Sequence, residues 1–147
     1  MHFLNLKGGW TLYNRKLIAA AIIEKDNKFL IVQREKPADL YGKWEFPGGK
    51  VEGEETLKAC LKRELKEELS IDAEIGQYLC SNRFTYKDVP YEINAFRVKS
   101  YTGDIVLTEH LKYEWVSLKE IEKFDLTKPD ILITDYLREI SLYNDYN

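Results

Sequence analysis

Residues Gly48 to Ile71 read GGKVEGEETLKACLKRELKEELSI, a glycine-rich start followed by a run of helical period. Leu57, Leu61, Leu65 and Leu69 recur at every fourth position and form an apolar stripe. This predicts an amphipathic helix that begins near Glu54 to Thr56, ends near Leu69 or Ser70 and docks on a sheet. Glu54 and Glu55 then fall at the positive end of its dipole. On such a helix Glu64, Glu67 and Glu68 stand at i, i+3 and i+4, so their carboxylates project from one face within reach of a single cation. Like charges one turn apart, as at Glu64 and Glu68, cost a helix about 0.2 to 0.5 kcal/mol. Lys58, Lys62 and Lys66 lie on nearly the opposite side and leave Arg63 as the cation beside the acidic face. A helix shaped for solubility alone would interleave the signs. Segregated carboxylates make sense where a divalent cation supplies the missing charge, and hard oxygen donors suit Mg2+, or Mn2+, rather than zinc or copper.

Outward from this helix the chain alternates strand-like runs with turn signals. LIAAAIIE (Leu17 to Glu24) and KFLIVQR (Lys28 to Arg34) are nearly continuous apolar segments joined by Lys25, Asp26 and Asn27, which predicts two buried strands paired as a hairpin. Glu35 to Lys43, with Pro37, Asp39 and Gly42, reads as a loop, and WEFPGG then sets Trp44 and Phe46 on one strand face before Pro47 stops it. Strands are expected at Ile71 to Tyr86, at Tyr91 to Tyr101 after a turn at Lys87 to Pro90, and at Tyr113 to Val116. A last helix is predicted from Lys128 to Leu142, with Ile131, Leu132, Tyr136, Leu137 and Ile140 as its apolar members, and the tail from Tyr143 to Asn147 should fray. Strands outnumber helices, and one helix sits between strand groups while another follows them. The fold class is therefore α+β, a mixed β-sheet between helices in an α/β/α sandwich.

A chain of 147 residues, 44% hydrophobic and 32% charged, suffices for one core and is short for two. We expect an N-terminal extension over residues 1–16, one domain over residues 17–142 and a C-terminal tail over residues 143–147. A net charge of -3 lacks the electrostatic footprint of a duplex-binding protein, so nucleic acid is not an expected partner. Cys60 and Cys80 have no metal-ligand or disulfide spacing and read as reduced, buried thiols. No segment is apolar for long enough to span a bilayer, and MHFLNLKGGW lacks a signal pattern, which together suggest a cytoplasmic protein, monomeric or homodimeric. His2 and His110 lack a second histidine at ligand spacing; both read as surface residues, and a zinc site is excluded. Trp44, Trp115 and Phe84 read as core.

The pattern from Gly49 is more specific than its charge. A glycine, five residues, Glu55, seven residues, then Arg63, Glu64, Leu65, Lys66, Glu67, Glu68, Leu69 and finally Ile71 resembles the Nudix box, with Ser70 standing where the pattern has glycine. Helix C-termini often need a residue at positive φ, so Ser70 should strain that turn slightly. WEFPGGKVE, the preceding KFLIVQR, the later WVSLKEI and Asp130 are similar to the MutT branch of the Nudix hydrolases. The resemblance implies the Nudix fold and hydrolysis of a nucleoside triphosphate to monophosphate and pyrophosphate with Mg2+, in sanitation of 8-oxo-dGTP or (d)CTP-type nucleotides. It implies metal ligation by Glu64, Glu67, Glu68 and the Gly49 carbonyl, with Arg63 orienting Glu64 and Glu55 bracing Arg63. Arg34 and Lys50 become phosphate contacts. Glu109 matches, by its distance from Trp115, the acidic loop residue that MutT-type proteins bring to the metal; it is a ligand or the base, with Glu67 the other candidate base. Phe46 and Asp130 become base contacts, Asp130 accepting from an exocyclic amino group or capping the last helix. Arg83, Phe84 and Tyr86 are further pocket candidates. The same box also serves hydrolases of ADP-ribose or dinucleoside polyphosphates and, in degenerate form, non-catalytic nucleotide-sensing modules.

Overall fold

The computed structural model describes residues 14–146, in the order β1 (Lys16–Ile22), β2 (Glu24–Lys25), β3 (Lys28–Gln33), β4 (Trp44–Glu45), β5 (Gly48–Lys50), α1 (Leu57–Leu69), β6 (Asp72–Tyr86), β7 (Val89–Thr102), β8 (Tyr113–Val116) and α2 (Lys128–Tyr146). Residues 1–13, most of the expected extension and with it the expected surface residue His2, lie outside the described residues, and Lys16 already belongs to β1.

Apolar character on both faces explains why β1 shows no alternation. Ala19 and Ala21 pack with Leu61, Leu65 and Leu69 of α1, while Ala20 and Ile22 pack with Ile133 and Leu137 of α2. A strand covered on both sides needs apolar residues at every position. β1 is central in a mixed sheet of order β5-β1-β7-β6, parallel to β7 and antiparallel to β5. A second sheet holds β2, β3 and β4, with β8 antiparallel to β3. Helices on opposite sides of mixed strands make the arrangement α+β and sandwich-like, as the sequence predicts.

The expected pairing of Leu17–Glu24 with Lys28–Arg34 is corrected. Only Glu24 and Lys25 pair with β3, around Asp26 and Asn27, both at positive φ, while β1 itself turns to β5 and β7. β5 was not expected as a strand, since Gly48, Gly49 and Lys50 carry no β pattern; its register, Ala19 opposite Gly49, comes from β1. The β6–β7 turn needs only Lys87 and Asp88, again both at positive φ.

Helix α1 starts at Leu57, with Thr56 as cap accepting the Ala59 N–H at 3.1 Å, so Glu54 and Glu55 precede its first turn rather than occupy it. At the other end Ser70 does adopt the left-handed conformation, φ 63° and ψ 25°. In α2 the inward face is Asp130, Ile133, Thr134 and Leu137; Ile131 and Leu132 turn outward, and the helix continues to Tyr146 instead of ending at Leu142.

Candidate active site

Placing β5 against β1 and beside α1 creates one wall of a cavity of about 710 Å3, a volume suited to a nucleotide-sized ligand. Gly49, Lys50, Glu64, Glu68 and Glu109 line it together with Arg34, Glu45, Phe46, His110 and Asp130. Phe84, Tyr91 and Ile93, from β6 and β7, close another side. Of the expected site residues, Glu55, Arg63 and Glu67 lie outside the lining.

Arg63 is the hub behind the wall. Its Nε and Nη2 donate to the two Glu55 oxygens at 3.0 and 2.6 Å, and its Nη1 donates to Glu64 at 2.9 Å and to Glu67 at 3.1 Å. Nη2 also reaches the Lys50 carbonyl at 3.2 Å, which ties β5 to the helix. A planar guanidinium presents its donors in a fixed fork, so one residue sets the orientation of three carboxylates and one backbone oxygen. The surrounding carboxylates push the Arg63 pKa further up, and Arg63 in turn holds Glu55 below the usual carboxylate range. Glu67, 59% exposed at its side chain, is turned toward this hub and away from the cavity.

Glu64 is only 8% exposed. A Cβ on Gly49 would fall 2.3 Å from its Cδ, so only a residue without a side chain lets β5 pass against that carboxylate. Glu68, one turn on, is raised to about 9, first by burial and then by the like charge of Glu64, with Glu45 and Glu109 adding to it. This crowding is the form a site for a hard divalent cation takes: oxygen donors only, an excess of negative charge and a glycine cradle whose carbonyl meets the weak Cys60 thiol donor at 3.6 Å. Among the described residues no group of three or more His, Cys, Asp or Glu closes around an ion unaided. Such a donor set suits Mg2+, which binds one or two carboxylates and completes its octahedron with phosphate oxygens and water.

A second string of polar groups leads away from Glu68. Arg34 Nη1 donates to Glu45 Oε1 at 2.5 Å and its Nε to the Lys36 carbonyl, while Glu45 Oε2 faces His110 Nε2 at 3.4 Å. The His110 side chain is 7% exposed, which corrects the expectation of a surface histidine. Phe84 likewise is a cavity wall as well as a core contact, stacked on Tyr91 at 5.3 Å, and Lys50 Nζ lies 5.4 Å from the Tyr91 ring centre. Tyr86 lines the cavity and Arg83 does not. Asp130, 3% exposed, accepts from the Phe46 N–H at 2.9 Å and from the Thr127 hydroxyl, so it fastens the Phe46 backbone to the first turn of α2. Burial and the neighbouring Glu45 charge raise it to about 7 against those hydrogen bonds and Arg34. Sequence reasoning missed Glu45. The available signal was a carboxylate between two buried aromatics, Trp44 and Phe46, in a short strand.

An acidic helix and a glycine-bearing strand forming one wall of a nucleotide-sized cavity, within helices on a mixed sheet, define a class of protein suited to metal-assisted phosphate chemistry. A NUDIX domain family model matches residues 14–137, and the chain belongs to that family. It is 39% identical over 114 residues to the CTP pyrophosphohydrolase of Escherichia coli (strain K12), covering 78% of this chain and 84% of that protein. It is 30% identical over 126 residues to the 8-oxo-dGTP diphosphatase of Buchnera aphidicola subsp. Schizaphis graminum, covering 86% and 95%. The solution structure of the E. coli ORF135 protein superposes with a TM-score of 0.80 at 35% identity, over 86% of this chain and 91% of that one.

Proposed function

We propose that this Nudix hydrolase is an Mg2+-dependent nucleoside triphosphate pyrophosphohydrolase, converting a triphosphate to monophosphate and pyrophosphate in the cytoplasm. Its substrates would be nucleotides of the 8-oxo-dGTP or (d)CTP type, in sanitation of the nucleotide pool. One observation carries the reading: Glu64 and Glu68 crowd one wall of the cavity whose other walls are the apolar Phe46, Phe84 and Tyr91. A polyphosphate and a base need those two environments side by side. No helix among the described residues is long and apolar enough to cross a membrane.

In this reading Glu64, Glu68 and the Gly49 carbonyl hold the ion. When bound, Mg2+ would neutralise the phosphates and lower the pKa of water. Arg63 keeps the Glu64 carboxylate fixed, and Glu55 keeps Arg63 fixed. Glu109 lines the cavity and Glu67 does not, which favours Glu109 as proton acceptor or added ligand and leaves Glu67 as a support through Arg63. Lys50, exposed on β5, and Arg34, held by Glu45, direct charge toward the phosphates. Phe46 offers an apolar surface for the base, and each Asp130 oxygen has a lone pair left for an amino group after its internal bond.

A panel of canonical, oxidised and methylated nucleoside triphosphates, with ADP-ribose and a dinucleoside polyphosphate beside them, assayed with Mg2+ tests this, with products separated as pyrophosphate or orthophosphate. Pyrophosphate and monophosphate are expected from at least one amino-bearing base. Orthophosphate alone, or cleavage confined to ADP-ribose and dinucleoside polyphosphates, would overturn it.

A further inference from the structure

Glu109 sits in a loop, residues 103–112, that joins β7 to β8 and is itself exposed. Its side chain lines the same cavity as Glu68, and a residue on an exposed loop keeps a fixed place only if the loop is tied to the elements around it. Something has to hold it there. The Thr108 N–H donates to the Glu68 carbonyl at 3.2 Å, and the Thr108 hydroxyl donates to the Glu67 carbonyl at 2.9 Å. Val106 N–H adds a bond to the Leu69 carbonyl at 3.0 Å, and the Ser70 hydroxyl donates to the Val106 carbonyl at 3.2 Å. The last carbonyls of a helix have no partner within it; here the loop supplies their donors. Ser70, the departure from the family pattern, contributes one of these ties.

On the other flank of Glu109 the imidazole of His110 is buried against Glu45. A carboxylate only accepts, so Nε2 carries the hydrogen in that 3.4 Å contact and the buried Nδ1 is left without a partner. Leu111 N–H then bonds the Gln33 carbonyl at 3.0 Å and pins the loop to β3.

We propose that Thr108 and His110 are positioning residues that clamp Glu109 at the cavity, one on the final turn of α1 and the other on Glu45. The catalytic part of this inference rests on the function proposed above; the clamp itself does not. It is tested with Thr108→Val, which removes the hydroxyl and keeps shape and backbone, and with His110→Ala, each made in the wild-type and in the Glu109→Gln background. In the wild-type background kcat is expected to fall about tenfold for each while KM stays within about twofold. Thr108→Ser and His110→Gln, which retain a donor, should recover most of the loss. In the Glu109→Gln background neither change should lower kcat further. An equal loss in both backgrounds would show that the two residues act through general structure, and would overturn the proposal. Amide hydrogen exchange supplies a readout free of activity. In Thr108→Val/His110→Ala, amides of residues 106–111 should exchange about tenfold faster while those of Leu61 and Leu65 keep their protection. Unchanged loop protection would refute the clamp whatever the kinetics. A wild-type protein that releases no pyrophosphate would instead defeat the proposed function and leave exchange to decide the clamp.

Discussion

Glu67 and Glu68 are neighbours in sequence with opposite surroundings: Glu68 faces the cavity and three other carboxylates, and Glu67 faces Arg63 and solvent. The two should therefore respond differently to the same neutralisation. Glu68→Gln removes a charge that a bound cation would oppose, and turnover should fall by about a hundredfold or more. Glu67→Gln takes one of several acceptors from Arg63 and should cost about tenfold or less. Steady-state kinetics on both, with pyrophosphate as the readout, decides the matter; equal losses would return Glu67 to the cavity. Gly49 is the other residue whose chemistry lies in what it lacks. Gly49→Ala drives a methyl group into the Glu64 carboxylate at a separation no real Cβ tolerates. Either β5 or Glu64 must shift, and displacement of a ligand by about 1 Å is enough to cost about a hundredfold in rate. The expected result is a folded protein, by circular dichroism, with activity reduced to that level.

At the scale of elements, α1 is a rigid bar buried along Leu61, Leu65 and Leu69 and capped at both ends. Its N-cap contributes to stability without touching the cavity. Thr56→Ala should lower unfolding free energy by about 1 kcal/mol and leave kcat nearly unchanged, as read by urea denaturation beside an activity assay. Much of this element was legible in the sequence, because stripe, acidic face and arginine hub are set by helical spacing and by contacts within a few residues. The long hairpin of β6 and β7 was legible for the same local reason. What stayed hidden depends on distant partners. β1 leaves its expected mate because two faces of small apolar residues fit between β5 and β7, a choice made by chain positions 75 residues away. Gly48 to Lys50 become a strand only because β1 offers them an edge. Ile131 and Leu132 have the right hydrophobicity for a core and face outward, since Asp130 turns inward to hold Phe46. Glu45 and His110, 65 residues apart, have no meaning singly; their pairing exists only after β3, β4 and the 103–112 loop meet.

For the molecule as a whole, the cavity stores unfavourable charge, and that has a measurable consequence for stability. Glu68 is raised from 4.5 to about 9 and Asp130 from 3.8 to about 7, so between those limits the folded chain binds more protons than the unfolded one. Stability then decreases as pH rises, because ∂ΔG/∂pH follows protons bound in the unfolded state minus those bound in the folded state. The contribution is fully present below the unfolded values and is lost through the folded ones. Glu55, lowered by Arg63, acts in the opposite sense and weakens the fold only when the pH drops through the acid range. Cys60 and Cys80, raised to about 12 and about 11, change their protonation only at pH values above this window. In a chelator, the melting temperature should accordingly fall steadily from about pH 6 to about pH 8.5. Mg2+ binds the ionised carboxylates of the folded chain and not the dispersed ones of the unfolded chain, so its stabilisation should grow over the same interval and flatten the slope. Calorimetric melts with and without Mg2+ test both halves of the argument. Parallel slopes would mean that the ion does not bind where Glu64 and Glu68 crowd, and that their mutual repulsion is relieved by some other group.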